Sequence, residues 1–287
     1  MLGAPLSSGA SSGGHAQGAG DLRIGGMALA NGLLLHSPRF WAAAVRDGDG
    51  KVKVASGRKR ARLARADEGG WPVVRGLARL ADALAVLPTV KFRLGAAVLP
   101  FEDPRLLAAL ALSGLATFGV RRGGRPTVGR ELAAVGLGLA PVLAALRGSP
   151  TAGYHGAEHK SIGEHERAVR GEPPAGATRE HERCGSNLVG PLIATNVAGH
   201  VALRRITRRP GPLTMLAGAM LSTGLAFELF RWMSRHPGSK VAAGLSQPGR
   251  LLQQFFTTRE PSPDQMEVAR AALAEILRLE SGSEPTG

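Results

Sequence analysis

The stretch YHGAEHKSI, residues 154–162, holds two histidines four apart, with a glutamate immediately before the second. His155, His159, His165 and His181 are four of the chain's eight histidines and fall within 27 residues, next to its one tyrosine, Tyr154. The one cysteine, Cys184, follows His181 by three positions. On a helix over 154–169, His155 and His159 lie one turn apart on one face, close enough to ligate a single ion. Glu158 then sits about 60° around from His155. H-x-x-E-H is the inverted zincin order, in which two imidazoles hold zinc and the glutamate serves as base. The bare pattern is weak, since helices carry histidines at this spacing without a metal. HERC, His181 to Cys184, adds a tight-turn spacing that suits two more zinc ligands.

The expected metal ligands are therefore His155, His159, His181 and Cys184, the expected ion is a divalent metal, zinc, and the expected catalytic base is Glu158. Glu166 shares the helix face but lies seven residues past His159, ~10 Å along the axis. It is expected to support the ligands or form a salt bridge. His165 reads as an exposed helix residue. Arg183, next to Cys184, favours the thiolate. Three protein ligands plus a water make a catalytic zinc, whereas four make a closed structural one. Both outcomes stay open.

These residues need elements to hold them. Aromatic content of 4%, with 40 glycines and 19 prolines, favours helices joined by flexible connections over an aromatic-rich sandwich. A single cysteine excludes an internal disulfide framework. The net charge of +14 calls for an acidic partner, either nucleic acid or an anionic lipid surface. GGMALANG contains no complete phosphate-binding motif.

Along the chain, residues 1–20 read as a disordered arm of Gly, Ser and Ala. Residues 21–75 are expected to form a small β-unit of two or three strands, with a hairpin at DGDG, followed by a basic segment at 58–65. That segment is a solvated helix face or a contact with anionic lipid. Residues 76–104, centred on Leu77–Leu99, are read as an amphipathic interfacial helix. Four stretches are nearly free of charge: Leu106–Val120, Leu132–Leu146, Asn187–Leu203 and Leu213–Phe227, each of 15 to 17 residues. Small residues and arginine flanks fit membrane helices, so 105–146 and 187–230 are expected to be two membrane hairpins around a metal-site region at 147–186. In the tail, 231–287, SPDQ predicts a capping-box start at Ser262, and Met266, Ala269, Leu273, Ile276 and Leu277 form the apolar stripe of a docking helix. The fold class expected is mainly α: a polytopic helical membrane protein with a small amino-terminal β-unit and a carboxy-terminal amphipathic helix.

Four spans place two short loops with four arginines each opposite the long segments, against the positive-inside count. A fifth span at 77–99, or hairpins that only dip into the bilayer, would resolve this, and the long segments are expected on the cytoplasmic side. His200, four after Asn196 in an apolar segment, is a functional suspect or a packing contact. Glu228 and Arg231 read as a local ion pair.

GGMALANGLLLHSPR, YHGAEHKSI, HERCGS, FELFR and PGRLLQQFFTTREPSPDQMEVA occur in that order. Together they resemble the YqhQ-like family of bacterial membrane proteins, a family of unknown function described as predicted metal-dependent enzymes. The resemblance runs from about Ile24 to Leu277. It implies a multi-spanning inner (cytoplasmic) membrane protein, with His155, Glu158, His159, Lys160, Glu166, His181, Arg183 and Cys184 at the family's motif positions. The chain departs from the family in HERC, where proline usually follows the histidine, and His165 is not a family position.

The function expected is a membrane-embedded, zinc-dependent hydrolase acting near the bilayer surface. The alternative is a non-catalytic membrane scaffold with a structural or regulatory zinc. The bilayer is the expected partner and nucleic acid is not, because a nucleic-acid-binding chain would be soluble and salt-sensitive in its complex.

Overall fold

The computed structural model describes residues 22–59, 72–99, 102–122, 127–207 and 210–282. The arm at 1–20 and residues 60–65 of the basic segment lie outside them. The amino-terminal β-unit has four strands rather than two or three: β1 Gly25–Leu29, β2 Gly32–His36, β3 Phe40–Arg46 and β4 Val52–Arg58, an antiparallel meander in chain order. The DGDG turn joins β3 to β4 as its sequence predicts. The extra strand comes from GGMAL, which pairs from Gly25 to Leu29 with GLLLH.

Both faces of this sheet are covered, so β2 reads as an unbroken apolar run instead of alternating. Leu33, Leu35, Ala42 and Ala44 pack with Tyr154, Ala157 and Ile162 and with the tail helix. Leu34, Trp41, Ala43 and Val45 face Val86, Leu87, Val90 and Leu94 on the other side. Residues 76–104 are therefore not one interfacial helix. Pro88, with no N–H to donate, stands in the first turn of a new helix, giving α1 Pro72–Ala85 and α2 Leu87–Leu94. Helix α2 lies on the sheet, which also removes 77–99 as a fifth span. Lys59 turns inward from the basic segment: its ammonium is 3.3 Å from Asp82 and 3.3 Å from His36 Nδ1.

The four charge-poor stretches each form a helix: α3 Pro104–Arg122, α4 Val128–Leu146, α6 Val189–Ile206 and α7 Pro212–Arg235. Between the two pairs runs α5, Pro150–Val169, and after them come α8, Lys240–Leu252, and α9, Pro263–Ser281. Of the four, α4 and α7 are long and apolar enough to cross a membrane, with 19 and 24 residues and mean hydropathies of 1.4 and 1.5. Arg121 and Arg122 end α3, and Arg204 and Arg205 end α6. No residue of α3 is buried. Contacts pair α3 with α4 and α6 with α7, while α1 packs along α7, where Arg75 is paired with Glu228. The tail helix α9 starts at the capping box of Ser262 and Gln265, and its stripe docks on the sheet and α5.

Candidate metal centre

Helix α5 begins where its sequence says it must. Ser149 accepts a hydrogen bond from the N–H of Ala152, and Pro150 occupies the first turn, where its missing N–H costs nothing. The helix then runs 20 residues without a break, although glycine at 153, 156 and 163 disfavours it. Gly156 has a packing reason. A Cβ there would strike the carbonyl oxygen of Arg259, so the missing side chain lets the segment after α8 pass close to the helix. That segment is fixed by the Arg259 N–H, which donates to Ala152 O at 2.9 Å.

The close passage orients the first histidine. Helix α8 ends in a π-helical turn, Gln253–Thr257, and the last carbonyls of a helix have no partner within it. His155 Nδ1 lies 2.8 Å from Thr257 O. A carbonyl oxygen only accepts, so Nδ1 carries the proton and donates. His159 repeats the device: its Nδ1 donates to Arg179 O at 2.6 Å. In each ring the lone pair is thereby left on Nε2. The Nε2 of His159 is buried with no hydrogen-bond partner among the described residues, and that of His155 is 3.3 Å from Cys184 Sγ.

The corner at 181–184 is a turn, closed by the Cys184 N–H donating to His181 O at 3.2 Å. Two buried amides lock it. Asn187 Nδ2 donates to Glu182 O at 2.7 Å, and Gln253 Oε1 accepts from the His181 N–H at 2.8 Å. Cys184 is buried, and its sulfur accepts from the Ser186 hydroxyl at 3.3 Å.

One ligand atom from each of His155, His159 and Cys184 lies within 4.8 Å of the others. The imidazole centroids of His155 and His159 are 4.4 Å apart. Two imidazoles and a thiol around a shared gap, each histidine held from behind by a carbonyl, form a donor set that suits zinc. His181 stands just outside this trio, its ring 5.6 Å from that of His159 and its Nε2 3.5 Å from Glu166. Burial lowers the pKa of His181, although Glu158 and Glu182 pull the other way.

Glu158 is fully enclosed, and one of its oxygens has no hydrogen-bond partner among the described residues. Burial raises its pKa, while His155 and His181 draw it back down. Its carboxyl packs against β1 at Gly26, where a Cβ would collide with it. Glu166 sits between His181 and Arg183, with whose guanidinium it is paired. That pairing directs the Arg183 charge to Glu166. Lys160 points elsewhere and pairs with Glu260. His165 is half-buried rather than exposed, and desolvation lowers its pKa.

A cavity of about 760 Å³ opens beside His159 and His181. Glu166, Arg183 and Arg250 line it, and Phe230 and Met233 from the end of α7 form an apolar side. The spacing of the histidines gave no sign of Thr257, Gln253, Asn187 or Gly26. Gly26 falls within the motif block GGMALANG and Gln253 and Thr257 within QQFFTT, while Asn187 lies just past HERCGS, and a main-chain carbonyl leaves no trace in residue identity.

Residues 151–279 match a family model described as a protein of unknown function (DUF1385). Over 139 residues the chain is 34% identical to the uncharacterized protein YqhQ of Bacillus subtilis (strain 168), covering 46% of this chain and 42% of that protein. The chain thus spans well under two thirds of the length of the curated relative it matches. No solved structure matches it. All the candidate ligands lie within the matched residues.

Proposed function

We propose that this chain, which carries the domain of a YqhQ-like family of unknown function, is a multi-pass inner-membrane protein that hydrolyses a substrate near the bilayer surface with the help of zinc. One observation carries the reading: His155, His159 and Cys184 converge while main-chain carbonyls hold the far side of both imidazoles. The ion would be held by these three residues, and when bound it supplies Lewis acidity to the cavity. Glu158, enclosed near His155 and His181 with its pKa raised by burial, would serve as the base for this site. His181, held by Glu166 and Gln253, lines the cavity beside His159 and hydrogen-bonds the substrate. The Phe230 and Met233 side of the cavity favours a substrate with an apolar portion, such as a lipid-linked ester or amide.

Membrane integration rests on α4 and α7, and on the apolar face that α3 turns away from α4, where Leu107, Leu112 and Leu115 are exposed, which suits lipid better than water. The basic segment after β4 is proposed to meet anionic lipid at the surface.

The rival is a membrane scaffold whose zinc is closed by His181 as a fourth ligand, a role its ring position beside His159 favours. Metal content of the purified chain tests both. We expect about one zinc per chain, with affinity reduced at least 10-fold in His155→Ala, His159→Ala and Cys184→Ala. Zinc-free protein with a native fold would overturn both readings. His181→Ala retains the metal in the hydrolase and loses it in the scaffold. Glu158→Gln keeps metal and fold but loses hydrolysis of lipid-linked esters and amides.

A further inference from the structure

A second cavity lies at the opposite end of the helical region. Helix α4 leaves the α3–α4 tip at Val128 and ends at Leu146 next to α5, while α6 starts beyond the Cys184 corner and ends at Ile206. The tips of both hairpins therefore sit at one end, far from the metal centre. Nineteen residues of α4 extend ~28 Å, close to the thickness of a bilayer's hydrocarbon core. Between the tips is a cavity of about 510 Å³ lined by Arg121, Arg122 and Arg204.

These arginines are set in place from below. Glu131 is fully buried at the start of α4, and Arg121 Nε lies 3.0 Å from its carboxylate. His200 Nε2 approaches the other carboxylate oxygen at 3.3 Å. Arg204 donates from Nη2 to the Arg121 carbonyl at 2.6 Å, tying α6 to α3. Arg122 stacks over the Phe118 ring at 5.6 Å and is exposed. Among the described residues no carboxylate lines the cavity, and Glu131 lies behind it, paired with Arg121. The remaining wall is apolar, from Phe118, Met215 and two prolines. On the same three helices, α3, α6 and α7, Leu115, Ile206 and Leu213 are 69%, 84% and 81% exposed.

We infer that this cavity binds the phosphate of an anionic phospholipid, with its acyl chains lying along the exposed apolar faces of α3, α6 and α7. Guanidinium forks match phosphate oxygens, and an aromatic and aliphatic wall at headgroup depth matches the start of a lipid tail. A free phosphate would use the arginines and leave that wall wet. The inference rests on the membrane reading and is independent of the metal centre.

Native mass spectrometry of the full-length chain released from nanodiscs tests it, with phosphatidylglycerol, phosphatidylcholine and inorganic phosphate as probes. We expect retained phosphatidylglycerol and little phosphatidylcholine, with retention falling at least tenfold in Arg122→Gln and in Arg122→Gln/Arg204→Gln. Arg122 is exposed, so its single variant keeps the fold, which an unchanged melting temperature verifies. Equal retention of both lipids, or no effect of the single variant, overturns the inference. Inorganic phosphate that displaces phosphatidylglycerol completely overturns the lipid as the natural source. Recovery of wild type in the soluble fraction sinks the membrane reading itself, whereas membrane insertion without lipid preference sinks only this site.

Discussion

The Nδ1 of His159 and the carbonyl oxygen of Arg179 are 2.6 Å apart, across twenty residues of sequence. This bond leaves the Nε2 lone pair for a metal and joins α5 to the loop before His181. His159 thus has a structural role besides the ligation proposed for it. In His159→Ala the Arg179 carbonyl loses its partner, which costs about 1–3 kcal/mol for a buried group. Chemical denaturation of chelator-treated wild type and variant measures this in the absence of metal. Equal stabilities would show that the bond contributes nothing to the fold.

Gly156→Ala drives a methyl group into the Arg259 carbonyl and pushes Thr257 away from His155. Overpacking of this kind costs about 1–3 kcal/mol. Gly244→Ala, also helical but facing open space, is expected to gain up to ~1 kcal/mol. Thermal melts of the two variants should move in opposite directions. Zinc affinity should fall in the first alone.

Acid stability has a specific source in the sheet. Desolvation, then the neighbouring Lys59 charge, lowers the His36 pKa to about 4, with Asp82 opposing. Between 6.5 in the unfolded chain and about 4 in the fold, the unfolded state binds more protons. Stability is full above that window and falls as the pH drops through it. His36→Gln should flatten the slope of unfolding free energy between pH 6.5 and 4. An unchanged slope would mean that the imidazole is protonated normally in the folded protein.

Glu131→Ala leaves Arg121 and His200 facing a cavity where a carboxylate stood. Removing one partner of a buried ion pair costs about 3–5 kcal/mol. The loss should appear as a lowered unfolding midpoint in detergent, smaller for Glu131→Gln, which keeps a hydrogen-bond acceptor. A midpoint unchanged in both would remove the triad's part in joining the hairpin tips.

What residue identity determined here was local. The capping box at Ser262, the DGDG hairpin, the helical stretches and the shared face of His155 and His159 all depend on neighbours within a few positions, where backbone geometry fixes who meets whom. Apolar spacing likewise marked the docking stripe of α9. Tertiary structure alone decided that Cys184 reaches the histidine pair while His181 stops beside it, because that depends on the lock made by Gln253 and Asn187 across 72 and 5 residues of chain. It also decided the fourth strand and the covering of both sheet faces, since GGMAL pairs weakly by propensity and is held by GLLLH. Glu131 went unseen for a similar reason. At the edge of an apolar stretch it reads as a flank, and only the crossing of α3, α4 and α6 takes it out of water and gives it Arg121 and His200. The oxygens that aim both imidazoles belong to the main chain, which every residue carries alike, so no sequence pattern marks them.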